Sequence, residues 1–104
     1  MSLKMNSFKT IMASDLALML RNGQPLSIID VRESFEFLLG HIPGSINMPL
    51  SNFDLESLNK NEEHYLLCAT GARSVEAAKV LAQYGYKIVN VMGGTSAYRG
   101  PLTR

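Results

Sequence analysis

Short apolar runs alternate with helical patterns along this chain, and turn signals separate them at close intervals. Those signals are Asn22-Gly23, Gly40, Pro43-Gly44, Pro49, Gly71, Gly85, Gly93-Gly94 and Gly100-Pro101. Between Ala13 and Arg21, the residues Ala13, Leu16, Ala17 and Leu20 recur at helical spacing, and Asn22-Gly23 supplies a stop. Leu26 to Val31 is short and mostly aliphatic, which predicts a buried strand. Glu33 to Leu39 has room for one or two helical turns. Ser45 to Met48 predicts a short strand stopped by Pro49, and Tyr65 to Cys68 a second buried strand. Ser74 to Tyr84 is the clearest helix. Val75, Ala78, Leu81 and Ala82 share its apolar face; Glu76, Lys79 and Gln83 share the polar one. Lys87 to Met92 then predicts a strand, and Thr95 to Tyr98 a final turn.

Strands alternating with helices imply an α/β fold: a mostly parallel sheet, right-handed crossovers and helices on both faces. Such sheets bind ligands at the C-terminal ends of their strands. That directs the search to Asp30–Arg32 and to Cys68–Ser74.

Composition narrows the class. A chain of 104 residues fits one domain over 1–104, with Met5 as an alternative natural start that would make 1–4 a cloning remnant. It is 46% apolar and 18% charged, which excludes disordered and collagen-like classes. A net charge of +1 gives no footprint for nucleic acid or an anionic membrane. No apolar run nears the roughly 20 residues of a membrane helix, and Met1 to Lys9 carries no hydrophobic signal core. The lone cysteine, Cys68, can form no internal disulfide, which suits a reducing, cytoplasmic compartment. His41 and His64 are far apart and lack a neighbouring cysteine, so neither a metal nor a cofactor is expected.

Cys68 ends a buried strand, and a helix follows at once. The segment between them, Ala69-Thr70-Gly71-Ala72-Arg73-Ser74, is short and rich in small residues, so its backbone can curl tightly, with Gly71 allowing a positive φ. Amides of such a curl, backed by a helix N-terminus, create a positive concavity that favours a thiolate. Arg73 adds a cation near the same point, where it would otherwise oppose the helix dipole. Ser74 reads as an N-cap. Core packing alone would need none of this arrangement, so Cys68 reads as an activated nucleophile. A Cys–His pair through His64 is excluded by distance along the strand. His41 is expected to make a structural hydrogen bond beside Pro43-Gly44.

These segments resemble the single-domain rhodanese-like sulfurtransferases. Cys68-Ala69-Thr70-Gly71-Ala72-Arg73-Ser74 is similar to their active-site loop. Asp30-Val31-Arg32, Glu36-Phe37 and Gly40-His41-Ile42-Pro43-Gly44-Ser45-Ile46-Asn47-Met48-Pro49 resemble their upstream signature. Gly93-Gly94, Tyr98 and Gly100-Pro101 resemble the C-terminal one. The resemblance covers nearly the whole chain and implies a five-stranded parallel sheet. It also implies ping-pong chemistry. Cys68 takes sulfur from a small sulfur-containing anion such as thiosulfate, holds it as a persulfide, and passes it to a thiophilic acceptor, a thiol or a protein. Ala69 to Ser74 would bind the donor, while Asp30 and Arg32 would form an ion pair supporting the loop. A monomer or weak dimer is expected. Two departures stand out. Tyr98 replaces a frequent Trp, and the loop interior carries no cation before Arg73, unlike members that use thiosulfate well.

Two other readings compete. A rhodanese-fold sulfur carrier or regulatory binding module would show little small-molecule turnover, although inactive relatives usually lack the cysteine. A cysteine phosphatase or arsenate reductase needs five residues between Cys and Arg, and here there are four.

Overall fold

The computed structural model describes residues 7–104, so the alternative start at Met5 lies outside the described residues. Elements follow in the order β1 (Lys9–Met12), α1 (Ala13–Arg21), β2 (Ser27–Asp30), α2 (Ser34–Leu39), β3 (Ile46–Asn47), β4 (Glu63–Leu67), α3 (Ala72–Gln83), β5 (Lys87–Met92) and α4 (Gly94–Ala97). Two short 3-10 turns, Leu50–Asn52 and Leu55–Ser57, lie between β3 and β4. The five strands form one sheet in the order β1-β5-β4-β2-β3, and every pairing is parallel.

Side chains alternate across this sheet because a strand's period is two. Ile29, Leu66 and Ile88 face one side and pack with Ala78 and Leu81 of α3. Ile28, Tyr65, Leu67 and Val89 face the other and pack with Ala13 and Leu16 of α1. Helices therefore cover both faces, and the strands read as continuous apolar runs because both sides are buried.

The sequence reading missed β1. Its four residues, Lys9-Thr10-Ile11-Met12, are mostly exposed at the edge of the sheet, and no apolar run marks them. Its evidence is the parallel register with β5, Ile11 opposite Val91. The α3 helix starts at Ala72, two residues earlier than predicted. Glycine 71 caps it in a left-handed conformation, φ 99°, so Ser74 is not the N-cap. Among the described residues, no helix is long and apolar enough to cross a membrane.

Candidate active site

Strand β4 lies at the centre of the sheet, and Cys68 is the first residue beyond it. Cys68 is fully buried. The chain then turns within a few residues into α3, which brings two amides onto the sulfur. Gly71 N–H donates to Cys68 Sγ at 3.0 Å and Ser74 N–H at 3.4 Å. Gly71 is required for this curl on two counts. Its φ is positive, and a Cβ there would sit 3.2 Å from the Gly93 nitrogen and 3.4 Å from the Met92 Cα. The end of β5 thus presses against the loop from outside.

The first turn of α4 completes the grip. Thr95 N–H donates to the Cys68 carbonyl at 2.9 Å, and Ser96 N–H donates to the Ala69 carbonyl at 2.9 Å. These carbonyls end a buried strand and would otherwise lack partners. A Cβ at Gly94 would collide with the Cys68 carbonyl oxygen and approach Ala69 backbone atoms to 2.7 Å, so only glycine lets α4 come this close.

Two opposed effects set the state of the sulfur. Burial pushes the Cys68 thiol up, because a charge in a desolvated site is unfavourable. Hydrogen bonding from Ser74, Gly71 and Thr70 favours the anion and outweighs burial. The thiol is held below its ordinary value. Ser74 is therefore a sulfur partner instead of a cap. It is fully buried; its amide donates to the sulfur, and its hydroxyl donates to the Gly71 carbonyl at 3.3 Å.

Arg73 does not reach into the loop as a bare cation. Its Nη1 and Nη2 donate to the two carboxylate oxygens of Glu36 at 2.8 and 3.0 Å. Such a two-pronged pair fixes geometry as well as charge. Glu36 Oε1 also accepts the Glu33 N–H at 2.9 Å. The Arg73 hydrogen bond holds the Glu36 carboxyl down at about 2, despite an opposing effect of burial. Glu36, in the first turn of α2, belongs to the family signature, and the sequence alone does not place it at the site. It stands 37 residues from Arg73, so no local spacing could join them.

Asp30 and Arg32 form the buried ion pair expected of them, with Arg32 Nη2 2.7 Å from Asp30 Oδ2. What they support differs from the expectation. Arg32 donates to the Glu36 carbonyl at 3.3 Å and to the Gly40 carbonyl at 2.8 Å. The pair therefore braces α2, which carries Glu36, and not the cysteine loop itself. None of the α2 residues is buried, so these bonds do the fastening that packing would otherwise do. Between α2 and α4 lies a cavity of about 350 Å³ lined by Arg32, Glu36, Leu39, Gly40, Thr95 and Ser96, among others.

The histidines are engaged elsewhere. His41 Nδ1 lies 2.9 Å from the Phe37 carbonyl, and its ring stacks on Phe37 at 3.7 Å. His64, buried at the far end of β4, contacts Ser27 Oγ at 2.7 Å and the Asn59 carbonyl at 2.8 Å. Both of its ring nitrogens are occupied, which removes it as a base for Cys68. Among the described residues, no three His, Cys, Asp or Glu side chains come together as metal ligands would.

Comparison with known proteins identifies the frame. The family model described as "Rhodanese-like domain" matches residues 12–100. A Bacillus subtilis protein named "Putative sulfurtransferase YtwF" is 34% identical over 94 residues, covering 88% of this chain and 91% of that one. Another from the same organism, "Putative sulfur carrier protein YrkF", is 37% identical over 82 residues. That match covers 76% of this chain but only 44% of the relative, so the chain spans less than half of that protein. The crystal structure of a rhodanese-like domain protein from Staphylococcus aureus superposes with a TM-score of 0.85 at 35% identity, covering 92% of this chain and 97% of that one.

Proposed function

Because this chain belongs to the rhodanese-like domain family, whose relatives here are named for sulfur transfer or sulfur carriage, we propose that it moves sulfane sulfur through a persulfide on Cys68. The observation that carries this reading is the pair of amides, Gly71 and Ser74, aimed at a buried sulfur whose thiol is held low. Fixed donors around an anion stabilise it without reorganising during the reaction. They serve the thiolate before the reaction and the persulfide anion after it.

In the first half-reaction, the Cys68 thiolate attacks the sulfane sulfur of the donor. One S–S bond forms, the donor's own S–S bond breaks, and its electron pair leaves with the departing anion, sulfite when thiosulfate is the donor. In the second half-reaction, a thiolate or cyanide attacks the outer sulfur, and the Cys68 thiolate leaves. No net oxidation of the protein occurs over the cycle. Ala69, Thr70, Gly71, Ala72 and Ser74 form the cradle, and Arg73 stands at its rim beside Glu36. The setting proposed is the cytoplasm, where a lone reduced thiol persists. A second reading, a sulfur carrier serving a partner protein, draws on the complete burial of Cys68, which slows exchange with arbitrary small molecules.

Intact mass after brief incubation with excess thiosulfate, beside Cys68→Ser, tests the proposal. The expected result is a gain of one sulfur atom that cyanide removes and the variant never shows. If thiosulfate produces no gain, incubation with a cysteine desulfurase and cysteine decides between a sulfur carrier and a binding module. Absence of the gain with both donors refutes sulfur transfer.

A further inference from the structure

Two arginines at the C-terminal edge of the sheet, Arg32 and Arg73, are already held by carboxylates. Arg32 is bound by Asp30 at 2.7 Å, and Arg73 by Glu36 through two bonds of 2.8 and 3.0 Å. Glu33 adds a further negative charge that Arg73 feels. Asp30 and Glu36 thus each neutralise a guanidinium next to the cysteine loop, and Glu33 adds a negative charge beside Arg73; on the α4 side Arg99 donates to the Ser96 carbonyl at 3.4 Å and pairs with no carboxylate among the described residues. The attraction offered to an incoming sulfur donor comes from amide dipoles, which are short-ranged and directed at one atom. A dianion brings one more negative charge than a monoanion does. That charge meets an Arg73 guanidinium already held by Glu36, and it meets the Glu36 carboxylate beside it.

We infer that Glu36 is a selectivity-determining residue: by occupying Arg73 it steers the site away from dianionic sulfur donors and toward donors of lower charge, such as organic thiosulfonates and persulfides. This inference rests on the sulfur-transfer reading and names the donor class within it. Glu36 has the placement such a role requires. Arg32 fixes its helix through the Glu36 and Gly40 carbonyls, and the Glu33 amide orients one of its oxygens. It also lines the cavity beside the loop clamp formed by Thr95 and Ser96. Removing its charge while keeping its shape leaves Arg73 free to meet a second negative charge on the donor.

Two probes separate charge from chemistry. Thiosulfate is a dianion and methanethiosulfonate a monoanion, and both present one sulfane sulfur to the Cys68 thiolate. The first releases sulfite, the second methanesulfinate. Single-turnover persulfidation of Cys68, read by intact mass, gives a rate constant for each donor. Glu36→Gln is expected to raise the thiosulfate to methanethiosulfonate ratio about tenfold, the scale of one unit charge near a partly screened site. Glu36→Asp, which keeps the charge, is expected to leave the ratio within about twofold of the original.

A merely structural Glu36 would slow both donors together in both variants and leave the ratio unchanged, which overturns the inference. Should Glu36→Gln fail to fold, the unaltered protein still decides. Raising ionic strength screens repulsion, so the same ratio is expected to rise with salt; a fall would show that the rim attracts dianions and would overturn the inference. If the unaltered protein gains sulfur from neither donor, the sulfur-transfer reading fails at its first step. Equal ratios in a protein that does gain sulfur refute only the role of Glu36.

Discussion

Neutral hydrogen bonds, more than a neighbouring charge, hold the Cys68 thiol low. Ser74, Gly71 and Thr70 donate to the anion, while the arginine one position earlier is occupied by Glu36. This orders two substitutions. Ser74→Ala removes a buried hydroxyl donor, so the thiol titrates higher, and alkylation by iodoacetamide near neutral pH slows several-fold. Arg73→Ala removes a charge that Glu36 already balances, so its effect on the same profile is smaller. A larger upward shift from Arg73→Ala than from Ser74→Ala would show that the cation, and not the hydrogen bonds, activates the sulfur. The sequence placed the cysteine, the glycine curl and the serine in one loop, because all three are local. It added Arg73 to the loop amides as a free cation, because the partner that occupies it, Glu36, is a residue of another helix, and only the folded chain shows that pairing.

The loop is held at the level of elements by a helix of one turn. Thr95 and Ser96 cap the Cys68 and Ala69 carbonyls, and this contact needs a glycine at 94. Gly94→Ala forces a methyl group into fixed backbone at φ 54°, where no flexible side chain can yield. The expected cost is about 2–4 kcal/mol in urea denaturation, together with slower persulfidation as the amides move off the sulfur. A loss under about 0.5 kcal/mol would mean that α4 is not seated against the loop. The sequence pattern shows this turn at Thr95–Tyr98 and the Gly93-Gly94 pair before it, but not what the turn touches. The strongest elements, α1, β2, α3 and β5, were legible because burial on a fixed period leaves a pattern. Strand β1 was not. It is a four-residue edge strand, and its partner residues on β5 lie 80 positions away, Lys9 opposite Val89.

Parallel strands put all their C-terminal ends along one edge, so segments distant in sequence converge there. Residues near 30, 36, 68, 73 and 95 meet at that edge through the order β1-β5-β4-β2-β3. The alternation of strands and helices implied a parallel sheet, but the order of the strands is a property of the whole chain. One connected path crosses the edge: Asp30 holds Arg32, Arg32 braces α2, and Glu36 of α2 grips Arg73 of α3. This path ties α2, which buries no side chain, to the rest of the molecule. Its acid sensitivity follows. The Glu36 carboxyl is lowered from 4.5 to about 2 in the folded state, so the unfolded chain binds its proton more readily. The pair's contribution to stability is therefore complete above about pH 4.5 and is lost as pH falls toward 2. Arg73 is 41% exposed at its side chain, so solvent screening limits that contribution to about 1 kcal/mol, a few degrees in the melting temperature of a domain this size. Melting temperatures of the unaltered protein and Glu36→Gln should thus differ by a few degrees above pH 4.5 and converge as pH is lowered toward 2. The direction is fixed by the sign of the shift: protonation acts only where the carboxylate exists, and glutamine has none to lose. A gap that stays constant across the range would mean that the carboxylate titrates alike in both states, and the path from Asp30 to Arg73 would then contribute geometry to the site without contributing to its stability.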